Sequence, residues 1–181
     1  MNFVETSLEG VIVIEPKVFV DERGFFLETF RENELYNVGI TENFVQHNHS
    51  HSSKNVLRGI HYQLTNPQGK LVRVASGSVF DVVVDVRKGS PTFGKWYGMV
   101  LDDKDMKMLY VPPGYGHAYI VLSDKTDFIY MCTEYYHPES EQGVLWNDPD
   151  IGIEWPSSNV ILSEKDKQNP TLSNHRKLPA Y

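Results

Sequence analysis

The chain has 181 residues, 40 % hydrophobic and 23 % charged, which is ordinary for a water-exposed fold and enough for one sizeable core but short for two. A formal net charge of −7 excludes a nucleic-acid surface, which needs clustered excess cation, and no apolar run approaches the roughly 20 residues of a membrane span. The opening MNFVETSLEG lacks a basic start and an apolar stretch, so no secretory leader is expected, and the single cysteine, Cys132, allows no intrachain disulfide and fits a reducing cytoplasm.

In chain order, alternating runs predict strands over 11–14, 17–20, 25–30, 44–48, 55–63, 70–75, 79–86, 93–101, 108–111, 117–122 and 126–136. The punctuators between them include DERG at 21–24, NPQG at 66–69, RKGSP at 87–91 and PPGYG at 112–116. Two short helices are expected: 31–39, with Gly39 suited to the position after the helix, and 163–169, with Ser163 as N-cap and Pro170 as its stop. The last ten residues read as a tail. About eleven short strands at this spacing predict an all-β sandwich or barrel of jelly-roll type, one domain over 1–181.

Several strands carry side chains that a plain core would not. In VLRGIHYQ, Arg58 and His61 stand an odd number apart and would face opposite sides of a regular strand; Gly59 between them predicts a bulge that turns both into one cavity. Arg58 could instead pair with Asp81 or Asp85. Over 79–86, Phe80, Val82, Val84 and Val86 share one face, and Val79, Asp81, Val83 and Asp85 share the other, which meets solvent or a polar cavity. Gln46, Asn48, Lys70, His117, Tyr130 and Tyr136 are further candidates for an interior site, although the tyrosines also suit barrel packing. In QHNHSH the period-two His47, His49 and His51 could converge on a metal, but no carboxylate follows at a suitable spacing. The stretch reads as a strand running out into a loop. Cys132 has no neighbouring cation in sequence and suits a small buried role better than that of a nucleophile.

Eight stretches in register, from EPKVFVDERGFFLETF through VLRGIHYQ, QGKLVRV and VPPGYGHAYIVLSD to LSEKD, resemble the dTDP-4-dehydrorhamnose 3,5-epimerases of deoxysugar biosynthesis over about residues 10–166. The resemblance implies a cupin-type jelly roll, a homodimer, a dTDP-sugar substrate, and no metal or organic cofactor. Carried over residue by residue, it implies His61 as general base, Tyr130 as general acid, Asp166 as the carboxylate orienting His61, and Lys70 as the cation on the enolate oxygen. It implies Arg58 and His117 as further substrate contacts, and Arg23, Glu28, Gln46, Asn48, Glu141 and Lys165 at positions contacting the sugar and nucleotide. Tyr136 falls where a ring stacks on thymine. His47 departs from the family, where an acidic residue is common.

These residue types suit proton abstraction next to a ketone. C3 and C5 both flank the C4 carbonyl, so each carbanion delocalises into the same carbonyl as an enolate. A neutral imidazole with a pKa near ~6.5 can act as base. A carboxylate on its second nitrogen fixes the tautomer, and a cation at the oxygen is worth roughly 10²–10³ in rate. Asp81 and Asp85 are alternative partners for His61. The alternatives in function are a C3-only or C5-only epimerase, a keto-isomerase on the same barrel, and a non-enzymatic sugar- or metal-binding cupin.

Overall fold

The computed structural model describes residues 1–181 as thirteen strands and two short helices. The strands are β1 Asn2–Glu5, β2 Ile12–Glu15, β3 Val18–Asp21, β4 Gly24–Leu27, β5 Gln46–Ser53, β6 Leu57–Gln63, β7 Lys70–Ser76, β8 Ser78–Val84, β9 Trp96–Asp102, β10 Met108–Val111, β11 Gly116–Val121, β12 Lys125–Cys132 and β13 Glu141–Gly143. The helices are α1 Glu32–Asn37 and α2 Glu164–Lys167. Six strands form one sheet in the order β1-β2-β10-β7-β12-β5, five form a second in the order β13-β6-β11-β8-β9, and β3 and β4 form a hairpin of their own. Every pairing within the sheets is antiparallel, in the two-sheet arrangement of a jelly roll.

The inner faces of the two sheets meet in the main core. Val72, Val74, Leu109 and Phe128 from the first sheet pack on Val79, Val83, Tyr119 and Val121 from the second. Both outer faces are partly covered as well. Leu35 of α1 and Ile40 lie over Ile14, Leu71 and Met108; Ile151 and Leu172 lie over Ile60, Tyr62, Val82 and Val84. Strand β8 is therefore buried on both sides, which explains its near-continuous apolar run. Asp81 of β8 and Asp85 just beyond its end do not meet solvent: both are fully buried, each with partners described below.

Helix ends follow their sequence signals. Gly39, at φ +88°, follows the C-cap residue Val38 of α1, and the Ser163 hydroxyl accepts the Asp166 N–H at 3.1 Å to start α2. Four expectations need correction. Strand β5 does not run out into a loop after Asn48 but continues to Ser53, because each of its eight residues pairs with β12. Strand β12 ends at Cys132, not Tyr136. Strands β1 and β13 form where none was expected; β13 has no apolar residue and exists by pairing Glu141, Gln142 and Gly143 with Gln63, Tyr62 and His61. The C-terminal residues are no free tail: Leu172 is buried, and Lys88 bridges to Ala180.

The bulge expected in β6 is present. His61 pairs with His117 and Arg58 with Tyr119, so three steps along β6 oppose two along β11. Gly59 sits at φ +131°, and a Cβ there would lie 2.3 Å from the Cβ of Ala118. Only glycine fits both the angle and the approach.

Candidate active site

A cavity of about 550 Å³ opens between the sheets at one end, within the size range of small-ligand pockets. The first sheet contributes Gln46, Asn48 and Ser50 from β5, Lys70 from β7, and Phe128 and Tyr130 from β12. The second contributes Arg58, His61 and Gln63 from β6, His117 and Tyr119 from β11, and Glu141 from β13. The segment ending in α2 closes one side with Ser163, Lys165 and Asp166.

At the centre, His61 Nε2 stands 2.5 Å from the Asp166 carboxylate, whose side chain is 4 % exposed. The bond at Nε2 leaves Nδ1 as the free ring nitrogen, 3.9 Å from Glu141. Burial pushes the Asp166 carboxyl upward, but the His61 bond and charge, the Ser163 contact and Lys165 outweigh it and hold the group below the usual aspartate range. Glu141 behaves alike: burial raises it, while Lys165, His61 and Tyr136 bring it down. Lys165 is hydrogen-bonded to Glu141, and the Tyr136 hydroxyl donates to the same carboxylate at 2.9 Å. A chain of polar contacts thus runs from Asp166 through His61 and Glu141 to Lys165.

Across the cavity, burial pushes the Tyr130 phenol up to about 12, with Cys132 and Tyr119 adding to the shift. It keeps its proton throughout the neutral range. Lys70 is ion-paired with no carboxylate, and burial lowers its pKa despite the opposing pull of Cys132, Glu141 and Asp81. His117 Nε2 lies 3.0 Å from both oxygens of Asp81, and its ring stacks on Phe128 at 6.2 Å. Arg58 donates to Ser52 Oγ at 3.2 and 3.3 Å, so most of its guanidinium hydrogen-bonding capacity remains for a ligand.

Eleven of the thirteen site residues expected from the sequence line this one cavity. Arg23 and Glu28 do not. Arg23 lies on the β3–β4 turn, fully exposed and paired with Asp21 at 2.5 Å, and Glu28 follows the hairpin and pairs with Arg31 at 2.9 Å. The hairpin belongs to neither main sheet, so it carries both side chains away from the cavity of their own chain. The alternatives left open for the acids are resolved: Asp81 partners His117, while Asp85 accepts from Arg87, Ser90 and Thr92. His47 lines a small separate cleft and faces away from Gln46 and Asn48, as strand alternation requires.

His49 and His51 share the Asp127 carboxylate of the neighbouring strand, at 2.8 and 3.0 Å, a partner invisible in the spacing of QHNHSH itself. No group of three or more His, Cys, Asp or Glu side chains has the arrangement of a metal site. Cys132 is buried, and its sulfur accepts from Asn48 Nδ2 at 3.6 Å. Ser50, Gln63, Tyr119 and Phe128 were missed. Each stands two residues from a candidate on the same strand, namely Asn48, His61, His117 and Tyr130, so extending the alternation by one step finds all four.

Known proteins share this architecture over nearly the whole chain. The family model described as dTDP-4-dehydrorhamnose 3,5-epimerase matches residues 5–174. The epimerase of that name from Methanothermobacter thermautotrophicus is 49 % identical over 183 residues, covering 99 % of this chain and 97 % of the relative. A dTDP-6-deoxy-D-glucose-3,5-epimerase from Legionella pneumophila, solved in complex with dTDP-4-keto-L-rhamnose, is 47 % identical with a TM-score of 0.97, covering 99 % and 98 % of the two chains. A 3′-monoepimerase from Streptomyces bikiniensis, in complex with dTDP-quinovose, is 37 % identical with a TM-score of 0.92, covering 97 % and 92 %. With its jelly-roll frame, its matched length and half its residues shared with such enzymes, the chain belongs to the dTDP-4-dehydrorhamnose 3,5-epimerase family.

Proposed function

We propose that the chain, acting as one domain over 1–181, inverts C3 and C5 of dTDP-4-dehydro-6-deoxy-D-glucose to give dTDP-4-dehydro-L-rhamnose in dTDP-rhamnose biosynthesis. The observation that carries the assignment of roles is the sharing of one cavity by His61 with its Asp166 partner, Tyr130 and Lys70. His61 takes the C–H proton on Nδ1, and Asp166 stabilises the imidazolium that forms. The C–H electron pair moves into the C4 ketone as an enolate, whose oxygen Lys70 stabilises, with Arg58 and His117 as further donors. Tyr130 delivers a proton to the opposite side of the carbon, which inverts it.

Asp81 holds His117 at Nε2 and so leaves Nδ1 free for the ligand. Gln46, Asn48, Glu141 and Lys165 hold the sugar and nucleotide, and Tyr136 stacks on the base. Arg23 and Glu28 reach substrate only if a second copy presents its hairpin, and the apolar hairpin residues support a homodimer that does so. Reduced Cys132 suits a cytoplasmic enzyme.

Likeness to a 3′-monoepimerase keeps a second reading, inversion of one carbon only. Variants in deuterated buffer test the roles. His61→Ala should incorporate no deuterium at either carbon, whereas Tyr130→Phe should exchange protons faster than it inverts; equal loss of both in Tyr130→Phe removes its role as acid.

A further inference from the structure

Strand β6 carries a second polar side chain two residues beyond His61. Gln63 is only 4 % exposed, and all its polar contacts lead away from the His61–Asp166 pair. Its Nε2 donates to the carbonyls of Asn66 at 2.6 Å and Tyr135 at 3.1 Å, and its Oε1 accepts the His137 N–H at 2.9 Å. Two of these three bonds fall on the residues immediately before and after Tyr136.

The segment they hold has little other support. Between the end of β12 and the start of β13, residues 134–136 make no backbone–backbone hydrogen bond. Their backbone is held by side chains: Gln63 at 135 and 137, Gln68 at the Glu134 carbonyl, and Gln46 at the Tyr136 N–H, 2.9 Å away. Tyr136 itself is half exposed at the rim, so packing does not fix its ring. Gln63 also sits opposite Glu141 in the β6–β13 pair, and Glu141 accepts the Tyr136 hydroxyl. One strand therefore sets both the position of His61 and, through Gln63, the backbone that carries Tyr136.

We infer that Gln63 is a positioning residue for nucleotide recognition: it fixes the Tyr136 ring at a set distance from His61 and so governs affinity for the nucleoside diphosphate half of the substrate. The inference rests on the reading of Tyr136 as the base-stacking ring. Because Gln63 touches neither His61 nor Tyr130, its loss reaches KM and nucleotide affinity, and spares the proton transfers.

The test uses the full-length protein, with dTDP binding by calorimetry, kcat and KM for dTDP-4-dehydro-6-deoxy-D-glucose, and melting temperature. Gln63→Met, of similar volume and without the three bonds, should weaken dTDP and raise KM by roughly tenfold with kcat within about twofold, as expected when hydrogen bonds worth about 1 kcal/mol each are lost. In a Tyr136→Ala background the same change should cost less than about twofold, because the two act as a unit. If Gln63→Met fails to fold, Gln63→Asn, whose amide is one methylene too short to reach all three partners, should still weaken dTDP about threefold. Unchanged dTDP affinity, or an equal penalty with and without Tyr136, overturns the inference while leaving the stacking role intact. Unchanged affinity in Tyr136→Ala alone removes the stacking role, and the inference with it.

Discussion

Lys70 and Tyr130 face the same cavity, and burial moves them in opposite directions with respect to the charge each carries at neutral pH. The phenol, pushed up to about 12, is neutral and holds its proton more firmly. The ammonium, without a paired carboxylate, gives up its proton below its usual 10.5. As pH rises, the Lys70 cation is therefore lost before the Tyr130 proton. The alkaline limb of kcat/KM should lie below 10.5 and belong to Lys70. A guanidinium stays charged to above ~12, so Lys70→Arg should shift that limb upward in a pH–rate profile, whatever it does to the maximal rate. A limb that stays in place would assign the titration to another group.

At the scale of the element, the bulge in β6 is what lets one strand turn both Arg58 and His61 into one cavity. Gly59→Ala would set a Cβ 2.3 Å from that of Ala118 at φ +131°, a backbone angle that L side chains rarely adopt. Thermal or urea unfolding should show a loss of at least ~3 kcal/mol, with activity falling as Arg58 and His61 separate. This bulge was legible in the sequence because odd spacing with a glycine between has a geometric meaning. Strand β5 was legible only in its first half: its inward residues are polar because they line the cavity, and what keeps it extended is pairing with β12, a partner more than 70 residues away. The same holds for the acids. Asp166 lies 105 residues from His61, and residue spacing alone could not prefer it over Asp81 or Asp85; only resemblance to the family pointed there.

The whole molecule leaves one part unsatisfied. On the β3–β4 hairpin, Val20 is 77 % exposed and Phe26 69 %, with Phe19 and Phe25 close behind, on an element that packs into neither sheet. Apolar surface of this kind suits the contact with a second copy proposed above. It was hidden in the sequence because alternation reports a strand and not which chain it packs against. Light scattering should give twice the chain mass for the native protein. Phe26→Asp should shift it toward monomer and reduce activity together, since the place proposed for Arg23 and Glu28 at a neighbouring cavity would be lost. A native monomer of full activity would refute the shared site.

The most direct measurement is proton NMR of the product formed by the native protein from dTDP-4-dehydro-6-deoxy-D-glucose in deuterated buffer. Two inversions, each through an enolate on the shared C4 oxygen, predict deuterium at both C3 and C5 of the L-sugar. Label at a single carbon would make the protein a mono-epimerase, and inverted product without label at either carbon would contradict proton abstraction by His61 altogether.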